Sequence, residues 1–333
     1  MSASKMSGFA LPSVGAGLLV TGARGFVGTA LMTAARAQGW RINATTRAAD
    51  QVLGADRIFR MAHFDVASDW SPALSDCQAV VHLAAQVHVM GAARREQADR
   101  YRAVNLDATL HLAEVAAGAG VRRFVFLSSA KVLGEYSQPG QPFSDVSAPA
   151  PADPYAESKY AAEQALFELS ARTGMEVVVL RPPLVYGAGA KANFQTLMRA
   201  LDRGIPLPFS RLNNRRTLCY LGNLVDAILL GLTHPAAAGR AFLVADAETL
   251  TLSDFAHRLA TALGRPAWQW PVPAGLLGLA GTLLNKQESV RRLIESYEID
   301  ISGIRATLDW SVPYSVTQAI EATAQAWRAD HAA

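Results

Sequence analysis

Apolar residues follow two alternating rhythms through the first half of the chain. Short apolar or β-branched runs occupy positions 18–20, 42–45, 58–64, 79–83, 124–127 and 177–180. Their lengths predict buried strands. Between them, at 26–38, 94–117 and 154–172, apolar residues recur every three or four positions, the spacing of a helix with one dry face. Strands that alternate with such helices predict an α/β fold with a Rossmann-type, doubly wound parallel sheet.

After Leu180 the rhythm breaks. Arg181-Pro182-Pro183, Pro206, Pro208 and a polar stretch at 211–216 interrupt any long element, so a smaller lobe is expected to begin here. The chain is then expected to return to the sheet at 218–221 and 241–244, on either side of a helical pattern at 223–232. The boundaries that follow are 16–183 plus 217–247 for the sheet domain and 184–216 plus 248–333 for a discontinuous C-terminal lobe. From 250 onward helical patterns dominate, ending with 315–328, and no internal repeat is present.

Composition changes this picture little. Half of the 333 residues are hydrophobic and 18% are charged, enough for a large core. The net charge of +3 comes from nearly balanced signs with no long run of either, which argues against a nucleic-acid partner. Cys77 and Cys219 lie far apart, the first expected in a loop and the second in a buried strand, so a reducing, cytoplasmic setting is expected. Residues 1–15 read as a loose leader, not a signal peptide. The most apolar later stretch, 276–284, falls well short of the ~20 residues of a membrane span, and a packing helix is expected there with no integral membrane segment.

Candidate chemistry starts at the first strand-to-helix turn, Thr21-Gly22-Ala23-Arg24-Gly25-Phe26-Val27-Gly28. Gly22 suits a tight turn, Gly25 lets the backbone approach a pyrophosphate, and Gly28 lets the helix pack closely. Unpaired N–H groups at the helix start then meet the phosphates, which predicts a dinucleotide site. The second strand ends Thr45-Thr46-Arg47, without the carboxylate that would accept ribose hydroxyls. Arg47, with Thr46 beside it and Arg24 in the turn, suits a 2′-phosphate, so NADP(H) is favoured and NAD(H) stays possible. Asp65, after the third run, is placed to receive an adenine amino group or simply to form a turn.

A second constellation is Tyr155-Ala156-Glu157-Ser158-Lys159, opening a helix with Asp153 as N-cap and Pro154 in its first turn. Spacing of i, i+4 puts the phenol and the ammonium on one face. A phenol of unperturbed pKa ~10 is a poor base at neutral pH, and a neighbouring positive charge favours its ionised form. Tyr155 could then exchange a proton with an alcohol or ketone.

Taken with His82-Leu83-Ala84-Ala85 and Leu127-Ser128-Ser129, these motifs make the chain resemble the extended short-chain dehydrogenase/reductase family, in particular its NAD-dependent epimerase/dehydratase branch. The resemblance implies that Ser129 binds the substrate oxygen, that Tyr155 is the acid-base group, and that Lys159 assists it while holding the nicotinamide ribose. It also implies a supporting role for Asn105 and cofactor contacts from Phe26, Val27, Val66, Leu83, Ala84, Ala85 and Pro182. In the lobe, Arg181-Pro182-Pro183-Leu184-Val185-Tyr186-Gly187, Asn193, Arg216 and Arg292 resemble the elements that bind a UDP-sugar, where guanidinium groups suit a diphosphate. Lys131 could face substrate or point to solvent.

The activity so implied is hydride transfer at sugar C4, with reduction of a UDP-4-keto-6-deoxy-N-acetylhexosamine as the leading expectation and a UDP-sugar 4-epimerase as its near rival. Val132-Leu133-Gly134 stands where such epimerases carry a Val-Tyr-Gly turn, which weighs toward the reductase. A third expectation, from another class, is a non-catalytic dinucleotide sensor or assembly subunit. The resemblance further implies a homodimer.

Overall fold

The structure, a computed structural model, describes residues 15–47, 51–87, 94–138, 140–273, 275, 291 and 293–331. In chain order the strands are β1 (Gly17–Thr21), β2 (Arg41–Thr46), β3 (Arg57–Arg60), β4 (Cys77–His82), β5 (Arg123–Leu127), β6 (Glu176–Arg181), β7 (Val185–Tyr186), β8 (Arg215–Thr217), β9 (Cys219–Tyr220), β10 (Arg240–Leu243) and β11 (Thr249–Thr251). The helices are α1 (Phe26–Ala37), α2 (Ser71–Leu74), α3 (Arg94–Tyr101), α4 (Ala108–Gly118), α5 (Pro154–Thr173), α6 (Ala192–Asp202), α7 (Leu221–Thr233) and α8 (Leu252–Ala262), followed by Ser302–Leu308 and Val316–His331.

Seven strands form the central sheet in the order β10-β6-β5-β4-β1-β2-β3. The ladders of β1 with β2 and β4, β2 with β3, and β4 with β5 all run parallel. Cross-links from Glu176 to Arg122 and from Ser128 to Leu180, then from Gly239 to Val177 and from Val244 to Arg181, advance in the same direction and extend the parallel pattern to β6 and β10. A sheet covered on both faces needs strands apolar on both sides, and β1 and β4 to β6 are buried almost throughout. This is the doubly wound α/β fold that the rhythm predicts. Strand order reverses between β1 and β4, the place where such sheets take their ligands.

By its contacts the chain divides into two compact units. One contains the chain to Leu127 with Ser158–Val179 and Ile228–Arg240; the other contains Ser128–Glu157, Leu180–Ala227 and the chain from Ala241. In the first, α1 buries Leu31, Met32 and Ala35, and α4 buries Leu112, Ala113 and Ala116. Arg123, fully buried at the start of β5, bonds Glu176 through Nε and Nη2 and the carbonyls of Gly231 and His234 through Nη1. Its charge thus closes the C-terminal end of α7, where unpaired carbonyls favour a cation. In the second unit, Tyr186, Phe194, Met198, Phe255, Leu259 and Ile320 belong to a separate apolar core.

Four expectations meet a different local outcome. The run at 218–221 does not join the central sheet: β9 pairs with β7 in a two-stranded ladder, because α7 already begins at Leu221. The helix expected at 94–117 is two helices, separated by a π-helical turn at Arg102–Asp107. The third strand stops at Arg60, where Met61 makes the last backbone bond to β2. Cys77 is not a loop residue but opens β4, and burial pushes its thiol up to about 11. The expected helix at 276–284 lies outside the described residues. Among those described, no helix is long and apolar enough to cross a membrane.

Candidate active site

The glycine turn lies between β1 and α1. Gly22 has φ +69°, and a Cβ there would stand 2.9 Å from the Ala84 nitrogen at the end of β4. At Gly28 a Cβ would stand 2.2 Å from the Gly22 carbonyl oxygen, so only glycine lets the first turn of α1 settle on the loop. The Gly25 N–H closes the turn onto Gly22 O at 2.8 Å. No side chain caps α1, and its first turn carries no acidic residue. Its N-terminal N–H groups are therefore free of a competing anion.

Thr21 fixes this turn to β4. Its Oγ1 accepts the N–H groups of Leu83 and Ala84 at 3.2 Å and bonds His82 Nδ1 at 2.6 Å, while His82 Nε2 bonds Thr109 Oγ1 at 2.9 Å. The imidazole stacks against Phe64 and Phe126. Burial holds it neutral, with its pKa down to about 3. Around the turn, Arg24 is exposed and Phe26 and Val27 are half-buried; Ala85 is half-buried beyond the end of β4. Thr46 ends β2 buried and Arg47 follows it exposed, with no carboxylate between them. Asp65 is exposed beside Val66, and its Oδ1 accepts from Ala67 N and Ser68 Oγ, an Asx turn.

Asn105 sits buried in the π-helical turn, a distortion frequent at functional sites. Its amide holds both backbone groups of Gln86 and donates to Ser158 Oγ at 3.0 Å. Lys159, one residue on, is buried with Nζ 4.0 Å from the centroid of the Phe126 ring. Loss of water pulls its pKa down to about 7, with the charge of buried Glu163 acting in the opposite direction.

In the second unit, Ser129 is half-buried in extended backbone and caps the short 3₁₀ turn Ala130–Leu133 by accepting from Lys131 N. Lys131 forms an ion pair with Asp153, and Oδ1 of the same carboxylate caps α5 by accepting from Ala156 N at 2.7 Å. Asp153 thereby ties the Ser129–Lys131 turn to the helix start that carries half-buried Tyr155. Ser128 N–H donates to Leu180 O and Ala130 N–H to the carbonyl of buried Pro182. Arg216 lies within β8, paired to Leu250 of β11, and its Nη2 donates to Glu295 O at 3.2 Å. Asn193 is exposed in the first turn of α6. Arg292 lies outside the described residues.

Residues 18–245 match the family described as Epimerase: NAD dependent epimerase/dehydratase family. The chain belongs to this family. It is thus an enzyme of the extended short-chain dehydrogenase/reductase type, and the expectation of a non-catalytic sensor falls away. A UDP-glucose 4-epimerase of Vibrio cholerae is 40% identical over 313 residues, which cover 93% of this chain and 95% of that one. Two solved structures share the fold. They are a UDP-glucuronic acid 4-epimerase from Bacillus cereus in complex with NAD (20% identity, TM-score 0.75, 94% and 96% of the two chains) and RMD from Pseudomonas aeruginosa complexed with NADPH (22%, 0.71, 94% and 99%).

Three features of this family member escape sequence reasoning. The Lys131–Asp153 pair joins residues 22 apart through a turn whose path no periodicity gives. The role of Asp153 in it is signalled only by the capping position. The Thr21–His82–Thr109 chain and the Phe126 ring under Lys159 depend on strand neighbours that become visible once β1, β4 and β5 are placed side by side.

Proposed function

We propose that the protein interconverts UDP-hexoses, or UDP-N-acetylhexosamines, at C4, with Tyr155 as the acid-base group. The observation that carries this reading is the 40% identity to a UDP-glucose 4-epimerase over nearly the full length of both chains. Kinship of that extent supports the epimerase over the ketosugar reductase, and on it we reverse the order that the sequence motifs favour.

The residues present fit a nicotinamide dinucleotide. Gly22 and Gly28 leave a cradle that a Cβ would fill, and the uncapped start of α1 presents N–H groups suited to a pyrophosphate. Gly25, Phe26, Val27, Leu83, Ala84 and Ala85 would line it, with Asp65 and Val66 toward the adenine and Pro182 toward the nicotinamide. Arg47, Thr46 and Arg24 favour a 2′-phosphate and hence NADP(H). When bound, the nicotinamide supplies hydride acceptance and return at the sugar carbon.

Tyr155 would take the proton of the C4 hydroxyl as that carbon is oxidised, and return a proton to the oxygen as it is reduced. Ser129 donates a hydrogen bond to the same oxygen and stabilises charge on it. Lys159, whose pKa burial lowers to about 7, would assist Tyr155 and hold the nicotinamide ribose. Asn105 acts as a positioning residue, through Gln86 and Ser158. Arg216, Asn193 and Arg292 would bind the diphosphate and sugar, and Lys131 would steady the turn that carries Ser129. The reading extends to a homodimer in the cytoplasm, on the strength of the family alone.

One observation favours a second reading: β2 ends without a carboxylate, which removes an anchor that permanently held NAD would use. A reductase that exchanges NADP(H) would need no such anchor. Incubation with UDP-glucose, UDP-N-acetylglucosamine and a UDP-4-keto-6-deoxy-N-acetylhexosamine, with and without NADPH, separates the two. C4 epimers formed without reductant support the epimerase. Stoichiometric NADPH consumption on the ketosugar alone supports the reductase.

A further inference from the structure

We propose that the second unit docks on an anionic lipid bilayer through Trp268 and Trp270. The two indoles are each 61% exposed, an unusual state for the largest apolar side chains. Backbone bonds from Leu207 N to Trp268 O and from Trp270 N to Leu207 O hold the segment in extended form, with Leu207 bridged to Gln269. Alternation then sends Gln269 inward, where its amide bonds both Oγ and the carbonyl of Ser253, and sends both tryptophans to the opposite, outer side. Pro271 and Pro273 stiffen the chain just beyond. The tryptophans thus stand out from a backbone that is fixed before any partner arrives.

Chemistry selects a bilayer as the occupant. Indole combines a flat apolar body with one N–H group, and neither of these indoles has a hydrogen-bond partner among the described residues; such rings settle at the level of lipid headgroups. Sequence continues the theme, since positions 266–285 contain no charged residue. Exposed charge around the segment that no ion pair takes up among the described residues is basic in excess: Arg199 and Arg203 at the end of α6 and Arg211 after Leu207, against the one carboxylate of Asp254 on α8. Apolar anchors with a basic surround match an anionic membrane surface, where each element alone would bind weakly. The association proposed is peripheral, through these surface side chains; among the described residues no helix is long and apolar enough to cross a membrane.

The test is sedimentation of the full-length protein with vesicles of phosphatidylcholine alone or mixed with phosphatidylglycerol. Wild type should pellet with the mixed vesicles and be released by salt. The double variant Trp268→Ser/Trp270→Ser should lose vesicle affinity by about tenfold or more, with its circular dichroism and its turnover of a soluble UDP-sugar unchanged. Replacing Arg199, Arg203 and Arg211 with Gln should weaken binding to the mixed vesicles only. Failure of wild type to pellet with either vesicle would overturn the proposal. So would equal binding by the tryptophan variant, or a concentration-dependent self-association in wild type that the variant abolishes. These readouts do not depend on which sugar the enzyme transforms.

Discussion

Lys159 and His82 are basic side chains whose pKa burial lowers, and for His82 this has a measurable consequence. For His82 the folded pKa is about 3 against an ordinary 6.5. Between those values the unfolded chain binds the proton and the folded chain does not, so stability is complete above pH 6.5 and falls as pH drops through this window. Thermal melts from pH 7 to pH 4 should show this loss, and His82→Gln should flatten the curve; an unchanged slope would contradict the neutral, stacked imidazole. At Tyr155, replacement by Phe should leave the melting temperature nearly unchanged and lower turnover by roughly 10²- to 10⁴-fold. Purified variant assayed beside wild type decides it. Residues of this kind are legible when their partners are close in sequence, as Tyr155 and Lys159 are on one helix. His82 shows the reverse, since its partners Thr21 and Thr109 lie 61 and 27 positions away.

Elements were readable in proportion to their length. Helix α5 and the buried strands β1, β2, β4, β5 and β6 carry enough apolar positions for the period to stand out, and Asp153 marks the helix start by its capping chemistry. Two-residue strands such as β7 and β9 carry no period at all. The π-helical turn at Arg102–Asp107 is equally silent, because one added residue per turn hardly disturbs a helical pattern. The glycine turn is the element whose function depends most on shape. Gly28→Ala places a methyl group 2.2 Å from Gly22 O and 2.8 Å from Ala23, backbone that can yield only by opening the turn. Overpacking of this kind costs about 1–3 kcal/mol. A lowered melting temperature together with weaker nicotinamide dinucleotide binding is expected in calorimetry, and loss of neither would contradict the cradle. At the end of β2, Arg47→Ala should weaken NADPH binding by about tenfold or more while leaving NADH binding nearly unchanged, the value of one charge-assisted bond.

For the whole molecule, alternation of strand and helix carries the doubly wound sheet; successive sheet strands stay neighbours except for the jump from the β3 edge to β4 beside β1, which no local pattern signals. Fold alone leaves the reaction open. The choice of C4 chemistry on a UDP-sugar rests on Tyr155, Lys159 and Ser129 taken together with the extent of kinship to a UDP-glucose 4-epimerase. One measurement tests that choice most directly: the fate of deuterium placed at C4 of UDP-glucose or UDP-N-acetylglucosamine during turnover in ordinary water. If the enzyme oxidises C4 and returns the same hydride, both epimers should appear and both should keep deuterium at C4. Epimers that have lost the label to solvent, or no epimer from either sugar, would contradict the account.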